Sequence, residues 1–387
     1  MGRHQKKTHL DITRQRYKKA DRKKKSLILE EFCETYGYNR KYVIRVLNKK
    51  PSRRPAKIRQ GRPRYDKLNL LEPLKTIWLA TYQMCSKKLK VALFEWLPHY
   101  EQEQGLLAES LRGQLYSLSA ATIDRWLAPY KDENRPHKGL SGTKPGTLLK
   151  NQIPIKVDHW DVTKPGFLEA DTVAHCGHSL AGDFIWSITY TDIFSAWTEN
   201  RAIWNKGSDG VVTQTQDVET NLPFKLLGFD CDNGSEFLNA HLYRYFTKRP
   251  RKPVQFTRSR PYHKNDNAHV EQKNWTHVRQ LLGYERFEKK RLVNLMNDLY
   301  KNEWSLYQNH FRPTMKLIEK QKINSRYKKK YDLPKTPYQR LLDSPDVPQK
   351  KKKELREKHK TLNPFILKRE IDKKVRYILQ MARLPSQ

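Results

Sequence analysis

The sequence predicts an α/β protein, a mixed five-stranded sheet with flanking helices, preceded by an all-α region that contains a helix-turn-helix. Apolar runs within residues 165–282 follow the order three strands, helix, strand, helix, strand, helix. This order is typical of a mixed sheet with helices on both faces. In the first 50 residues the apolar positions instead recur every three or four residues, which indicates helices.

Charge divides the 387-residue chain into three parts. Residues 1–70 contain 23 Lys or Arg against 6 Asp or Glu, and residues 312–387 contain 23 against 8, whereas residues 165–282 contain 13 of each. The net charge of +36 attracts polyanions, of which nucleic acid is the commonest. A membrane surface is the rival, but the sequence has neither an apolar run of about 18 residues nor a secretory signal. We therefore expect a soluble intracellular protein, cytoplasmic or nucleoid-associated, that binds nucleic acid.

Residues 1–50 are predicted to form a helix-turn-helix DNA-binding domain. Apolar residues at helical spacing run from Lys23 to Leu47, interrupted by Gly37, which suits a C-cap, and Asn39, which suits an N-cap. A recognition helix would present basic side chains to the major groove. The candidates here are Arg40, Lys41 and Arg45. An ordinary helical hairpin with solvated basic residues remains the alternative.

Residues 51–65 are predicted to be a basic linker, because prolines exclude a regular helix. Arg62 or Arg64 could enter a minor groove, although a plain linker explains the composition as well. Residues 66–150 are predicted to form a second helical DNA-binding domain, with Arg125 facing outward from a short helix capped by Ser119.

Histidine and cysteine do not suggest a metal site. His4, His9 and Cys33 lack the second cysteine that a His-His-Cys-Cys zinc site would need, so no zinc is expected. The four cysteines are far apart, which indicates no disulfide framework.

Residues 155–311 are predicted to be the catalytic core, with the strand and helix order of ribonuclease H. The predicted strands are Phe167–Cys176, Asp183–Thr191, Ala196–Trp204, Phe224–Phe229 and Val254–Thr257. The predicted helices lie at 210–221, 237–246 and 265–282.

Three acids fall at suitable places in this layout. Asp171 lies on the first strand, Asp232 follows a later strand, and Glu271 lies on the last helix. Carboxylate oxygens are the ligands that Mg²⁺ or Mn²⁺ prefers, and two such ions about 3.5–4 Å apart promote phosphodiester chemistry. Spacing alone identifies no such trio, because a chain this size offers other acids, of which Asp230 is the most serious rival. Glu271 shares a helix face with Asn267, Asn274 and Val278.

Local motifs single out this trio. The segments EADTVAHCG at 169–177, DNGSEF at 232–237 and FTRSRPYHKNDNAHVEQKN at 256–274 are present, followed by RPTMKL at 312 and TPYQRLL at 336. Over residues 155–345 the chain resembles insertion-sequence DDE transposases with an integrase-type catalytic core, in the retroviral integrase superfamily. The resemblance implies that Asp171, Asp232 and Glu271 bind two Mg²⁺ or Mn²⁺ ions, and that Asn233 and Gly234 form the turn after the second acid.

The resemblance also implies the reaction and the partners. We expect cleavage of a DNA strand and joining of its 3′ hydroxyl to target DNA, by a homodimer or larger assembly on double-stranded DNA. Cations near the acids are candidates for holding the scissile phosphates, although solvated side chains would explain them too. These cations are Arg258, Arg260, Lys264 and Lys273.

Residues 312–387 are predicted to be a basic C-terminal region with a terminal helix behind Asn363 and Pro364. Lysine-rich tracts at 324–335 and 350–360 are expected to be linkers or DNA-contacting segments. Two other functions remain open at this point: a nuclease of ribonuclease-H-like fold that only hydrolyses, and a domesticated DNA-binding regulator without catalysis.

Overall fold

The computed structural model describes residues 3–49, 65–131, 163–232, 234, 236–249, 252–258, 268–323 and 326–384. The chain divides into two compact units, Met1–Arg64 and Tyr65–Gln387, and each is treated by itself.

The N-terminal unit consists of helices, as predicted. Its elements are α1 (Arg3–Lys19), α2 (Arg22–Tyr36) and α3 (Arg40–Asn48). Gly37 ends α2 with φ of 68°, a left-handed conformation that glycine adopts without strain, and the Asn39 side chain accepts a hydrogen bond from the Lys41 amide at the start of α3. Phe32, Val43 and Leu47 contribute to its small hydrophobic core.

The second unit is built on a five-stranded mixed sheet, which confirms the predicted fold class. The strands are β1 (Phe167–Ala174), β2 (Ile185–Asp192), β3 (Thr198–Trp204), β4 (Gly228–Cys231) and β5 (Gln255–Arg258). Their order in the sheet is β3-β2-β1-β4-β5. The first three pair antiparallel, and β4 and β5 pair parallel to β1 and to β4 respectively. This is the strand order of the ribonuclease-H-like fold.

Helices cover both faces of the sheet. Those of this unit are α4 (Lys67–Ala80), α5 (Ser86–Gln104), α6 (Glu109–Ser117), α7 (Ala120–Leu127), α8 (Ser208–Asn221), α9 (Ala240–Thr247), α10 (Ala268–Lys273), α11 (Gln280–Leu282), α12 (Leu292–Leu299), α13 (Ser305–Phe311), α14 (Pro337–Asp343), α15 (Gln349–Lys360) and α16 (Pro364–Arg383). Alternate strand residues enter different cores, since Ile185 packs with α4–α7 and α11–α13 while the adjacent Trp186 packs with α8 and α9.

Helices α4–α7 share a hydrophobic core with helices that follow the sheet. Trp96 of α5 is fully buried, and its indole N–H donates to the carbonyl of Phe311 at 3.0 Å. Its ring meets those of Tyr307 and Phe365 edge-on. The predicted domain boundary near residue 150 falls in 132–162, outside the described residues, and so stays a prediction.

Two helical segments have π geometry. The first, Asn274–Arg279, joins α10 to α11, and the second, Tyr300–Trp304, joins α12 to α13. The segments touch each other, because the indole N–H of Trp304 donates to the carbonyl of His277 at 2.9 Å. The helix predicted for 265–282 is therefore interrupted at its centre.

The C-terminal tracts differ from the expectation of linkers. Residues around the first tract form a hairpin of β6 (Leu317–Ile323) and β7 (Arg326–Tyr331), called the basic ribbon below, and the second tract is α15. The predicted terminal helix is present as α16, and the Asn363 side chain caps it. None of the described helices is long and apolar enough to cross a membrane.

Candidate active site

The first acid, Asp171, lies at the middle of β1 and is partly buried. One carboxylate oxygen accepts a hydrogen bond from the Thr172 amide at 2.7 Å, and the other accepts one from the side-chain amide of Asn274 at 2.7 Å. A sheet residue and a helix residue thereby fix the orientation of this carboxylate.

The second acid, Asp232, directly follows β4. The parallel register pairs Ala170 with Cys231, so Asp171 and Asp232 occupy neighbouring positions on adjacent strands. The Gly234 amide donates to Oδ1 of Asp232 at 2.9 Å. Asn233, the other predicted turn residue, lies outside the described residues.

Burial, together with the nearby Glu236 carboxylate, raises the pKa of Asp232 to about 6. The Gly234 amide and the Lys206 ammonium partly offset this rise in pKa. A bound cation would offset it more completely, because a neighbouring positive charge favours the ionised form of a carboxyl.

The third acid, Glu271, lies on α10, which packs against β1. The Val270 amide donates to Glu169 on β1 at 3.3 Å, and Asn274, one turn beyond Glu271, donates to Asp171. These contacts place the backbone of residue 271 beside the strand that carries Asp171. Its side chain lies outside what the structure describes, and the described residues contain no group of three or more His, Cys, Asp or Glu able to hold a metal.

Glu236 is a further acid at this site that the sequence analysis did not assign. It is 2% exposed and accepts hydrogen bonds from the Thr172 hydroxyl at 2.8 Å and the Lys206 ammonium at 2.6 Å. The Lys206 ammonium also lies 4.0 Å from the centre of the Trp186 ring. Glu236 thus connects the turn after the second acid to the strand that carries the first. The sequence signal for this residue is an acidic side chain four positions after Asp232.

The atoms around the acids fit a hard cation. Oε2 of Glu236 and Oδ1 of Asn274 are buried and accept no hydrogen bond from any residue that the structure describes. Unpaired buried oxygens are rare in folded proteins, and oxygen atoms are the donors that Mg²⁺ and Mn²⁺ take. A Cβ atom on Gly234 would lie 2.5 Å from Oε2 of Glu236, so a larger residue in the turn would displace this carboxylate.

Two of the four predicted phosphate-binding cations are described by the structure, and both are buried. Lys273 is 7% exposed, and its ammonium donates to the carbonyl of Ala196 at 3.3 Å. This corrects the expectation for Lys273, because its position on α10 points into the protein rather than toward a bound strand. Arg258 at the end of β5 is also 7% exposed. Arg260 and Lys264 lie outside the described residues.

The predicted helix-turn-helix cations are exposed on α3. Arg40 is partly engaged within the unit, since it pairs with Glu30 at 3.3 Å, whereas the Arg45 guanidinium lies 5.5 Å from the Tyr42 ring centre. Lys41 is also exposed.

Among the other predicted DNA-contacting arginines, Arg125 is exposed on α7 and donates to the Ala121 carbonyl at 3.3 Å. Arg62 and Arg64 lie outside the described residues.

Comparison with known proteins identified one curated relative. The chain is 36% identical over 332 residues to the "Uncharacterized protein y4rM" of Sinorhizobium fredii, covering 84% of this chain and 92% of that protein. No family model matches the chain.

Solved structures of viral integrases align weakly. A chain of the simian T-cell lymphotropic virus intasome in complex with PP2A regulatory subunit B56 gamma is 15% identical, covers 65% of this chain and 76% of that one, and has a TM-score of 0.32. The HTLV-2 integrase catalytic core domain in complex with magnesium, in its dimeric form, is 17% identical, covers 39% and 90%, and has a TM-score of 0.28. Because these scores are low, the fold assignment depends on the strand order.

Proposed function

The chain belongs to the same family as the y4rM protein, and we propose that it is a metal-dependent DNA transposase of the integrase type. One observation carries the proposal: Asp171 on β1 and Asp232, the residue directly after the parallel strand β4, occupy neighbouring register positions, and the helix that bears Glu271 is hydrogen-bonded to β1. Polynucleotidyl transfer needs such a cluster of carboxylates.

Asp171, Asp232 and Glu271 would hold two Mg²⁺ or Mn²⁺ ions. Such ions supply activation of an attacking oxygen and stabilisation of the leaving oxygen. The chain's own residues prepare this site: Asn274 and the Thr172 amide orient Asp171, and the Gly234 amide orients Asp232.

The proposed reaction has two balanced steps. In cleavage, a water oxygen bonds to phosphorus as the P–O3′ bond breaks, which leaves a 3′ hydroxyl and a 5′ phosphate. In joining, that 3′ oxygen bonds to a target phosphorus as the target P–O3′ bond breaks, the attacking hydroxyl gives its proton to solvent, and the released target 3′ oxygen takes a proton from solvent. Each step exchanges one P–O bond for another, so no external energy source is required.

The basic N-terminal helices would recognise element ends. Arg45 and Lys41 are exposed on α3, the second helix of the helix-turn-helix, which is the helix that enters the major groove in such domains. Joining two element ends requires at least two active sites, so we propose that a homodimer or larger assembly acts on DNA.

Strand cleavage and joining by purified full-length protein test this proposal. Labelled duplexes taken from the DNA that flanks the gene would be incubated with Mg²⁺ or Mn²⁺, comparing wild type, Glu271→Gln and the control Glu357→Gln. Glu357 lies on α15 with 60% of its side chain exposed, so the control makes the same change in charge at a surface site.

Joining by wild type and the control but not by Glu271→Gln would support the proposal. Equal joining by all three would refute the catalytic assignment. Cleavage without joining under any condition would favour a hydrolytic nuclease, and DNA binding with neither reaction would favour a non-catalytic regulator.

A further inference from the structure

The basic ribbon is a two-stranded hairpin whose described side chains lie on the surface. Every side chain that the structure describes in β6 and β7 is exposed. Four large apolar side chains are among them: Ile318 at 61%, Ile323 at 51%, Leu317 at 47% and Tyr331 at 44%. A two-stranded hairpin is marginally stable by itself in water, so this hairpin needs a support and a partner.

Its support is a set of contacts at its base. Asp332 accepts a hydrogen bond from the Lys316 amide at 2.6 Å and pairs with Arg340 of α14 at 2.7 Å. The Lys316 ammonium donates to the carbonyl of Phe194 at 2.6 Å, in the turn between β2 and β3. These contacts fix the base of the ribbon to the unit that carries the candidate active site.

The net charge of the basic ribbon indicates what kind of partner it binds. Residues 316–335 contain eight Lys or Arg against Glu319 and Asp332, a net charge of +6. Three consecutive lysines of β7 are exposed, namely Lys328, Lys329 and Lys330. Like charges so close together repel one another, and a polyanion beside them would relieve the repulsion. A second copy of the ribbon would add repulsion, because it bears the same charge.

We propose that the basic ribbon binds double-stranded DNA, with Lys328, Lys329 and Lys330 on the phosphates and the exposed aliphatic side chains against the groove. The proposal rests on the transposase function and adds a DNA contact separate from the helix-turn-helix. A major groove about 12 Å wide admits a two-stranded ribbon. Charge complementarity supplies affinity, and the apolar side chains can contact base edges such as the thymine methyl group.

Salt-dependent binding of full-length protein to a random-sequence duplex tests the ribbon. The ribbon variant replaces Lys328, Lys329 and Lys330 by Ala. The control variant replaces three exposed α15 lysines by Ala, which removes the same charge elsewhere in the C-terminal region. These are Lys350, Lys353 and Lys358.

Each phosphate contact contributes about 0.9 to the slope of log K against log salt. The ribbon variant should therefore bind with a slope shallower by roughly 2.7, while the control keeps the wild-type slope. The variant Ile323→Ser should lower affinity severalfold with no change in slope, because it removes an apolar contact only.

Equal slopes for wild type and the ribbon variant would overturn the proposal, as would equal losses in ribbon and control variants, which indicate diffuse attraction. A change of sedimentation coefficient in the ribbon variant, with DNA binding intact, would make the ribbon a contact between copies and overturn it too. If wild type itself fails to bind DNA, the proposed function fails instead.

Discussion

Replacing Lys206 by Met should destabilise the second unit, because this lysine is the cation that compensates Glu236. Glu236 is 2% exposed, and the Lys206 side chain is 17% exposed and 2.6 Å from it. Breaking a buried ion pair by removing one partner costs about 3–5 kcal/mol. Because Lys206 retains some contact with solvent, we expect about 3 kcal/mol. For a unit that runs from Tyr65 to Gln387 the entropy of unfolding is about 0.7 kcal/mol/K, so this loss corresponds to a fall in Tm of about 4 °C.

A double-mutant cycle separates charge compensation from packing. Urea unfolding in EDTA would be measured for wild type, Lys206→Met, Glu236→Gln and the double variant. The double variant should recover most of the loss, because no buried charge is then left unpaired. The control is Lys225→Met at an exposed position, where we expect a change within about 0.5 kcal/mol. A loss below about 1 kcal/mol in Lys206→Met, or no recovery in the double variant, would refute this account of the site.

Three further predictions concern the site and the core. The pKa of Asp232 is raised to about 6 from 3.8, so its ionised form is disfavoured in the folded state. In EDTA the free energy of unfolding should therefore rise as pH falls from 7.5 toward 5, and Asp232→Asn should remove that rise; a fall in wild type would contradict it. Asn274→Ala should slow strand cleavage about 10–100-fold with DNA affinity unchanged, since it frees the Asp171 carboxylate; unchanged cleavage would contradict this. Trp96→Ala should cost about 3–5 kcal/mol in a single cooperative transition by calorimetry, whereas two separate transitions would show that α4–α7 form their own domain.

The sheet could be predicted from the sequence because its signal is local. Strands β1, β2 and β3 are almost wholly buried, so their apolar and aromatic residues stand out from the polar segments between them. Right-handed crossovers then place the parallel strands β4 and β5 beside β1, as observed.

The two lysine-rich tracts could not be predicted in the same way. On α15 only Lys352 and Leu355 are buried, so no apolar periodicity marks the helix. The described side chains of the basic ribbon are all exposed, so they show no alternation of the kind by which a half-buried strand is identified. Helix propensity explains α15 and backbone pairing between β6 and β7 explains the basic ribbon, whereas burial of apolar side chains contributes little to either.

Whether a single side chain faces solvent or the interior of the protein could not always be predicted from the sequence. Lys273 looks like a solvent-facing cation in the sequence, but it lies on the buried face of its helix with Val270 and His277, three residues before and four after it. Glu236 could not be assigned from the DNGSEF segment alone, because the turn and the first acid of that segment account for its pattern. Its importance depends on contacts with Thr172 and Lys206, which come from elsewhere in the chain.

The π segment after Lys273 changes the angular phase of the helix that carries Glu271. A π turn contains one residue more than the α-helical pattern allows, so the faces before and after it are offset by roughly 100°. Residues upstream can thus face the acids on β1 while Leu281 and Leu282 downstream pack into the core of α4–α7. An insertion or deletion between 274 and 279 would rotate one of these halves relative to the other. A change of length in this short stretch should consequently be more damaging than a substitution at an exposed position such as Trp275.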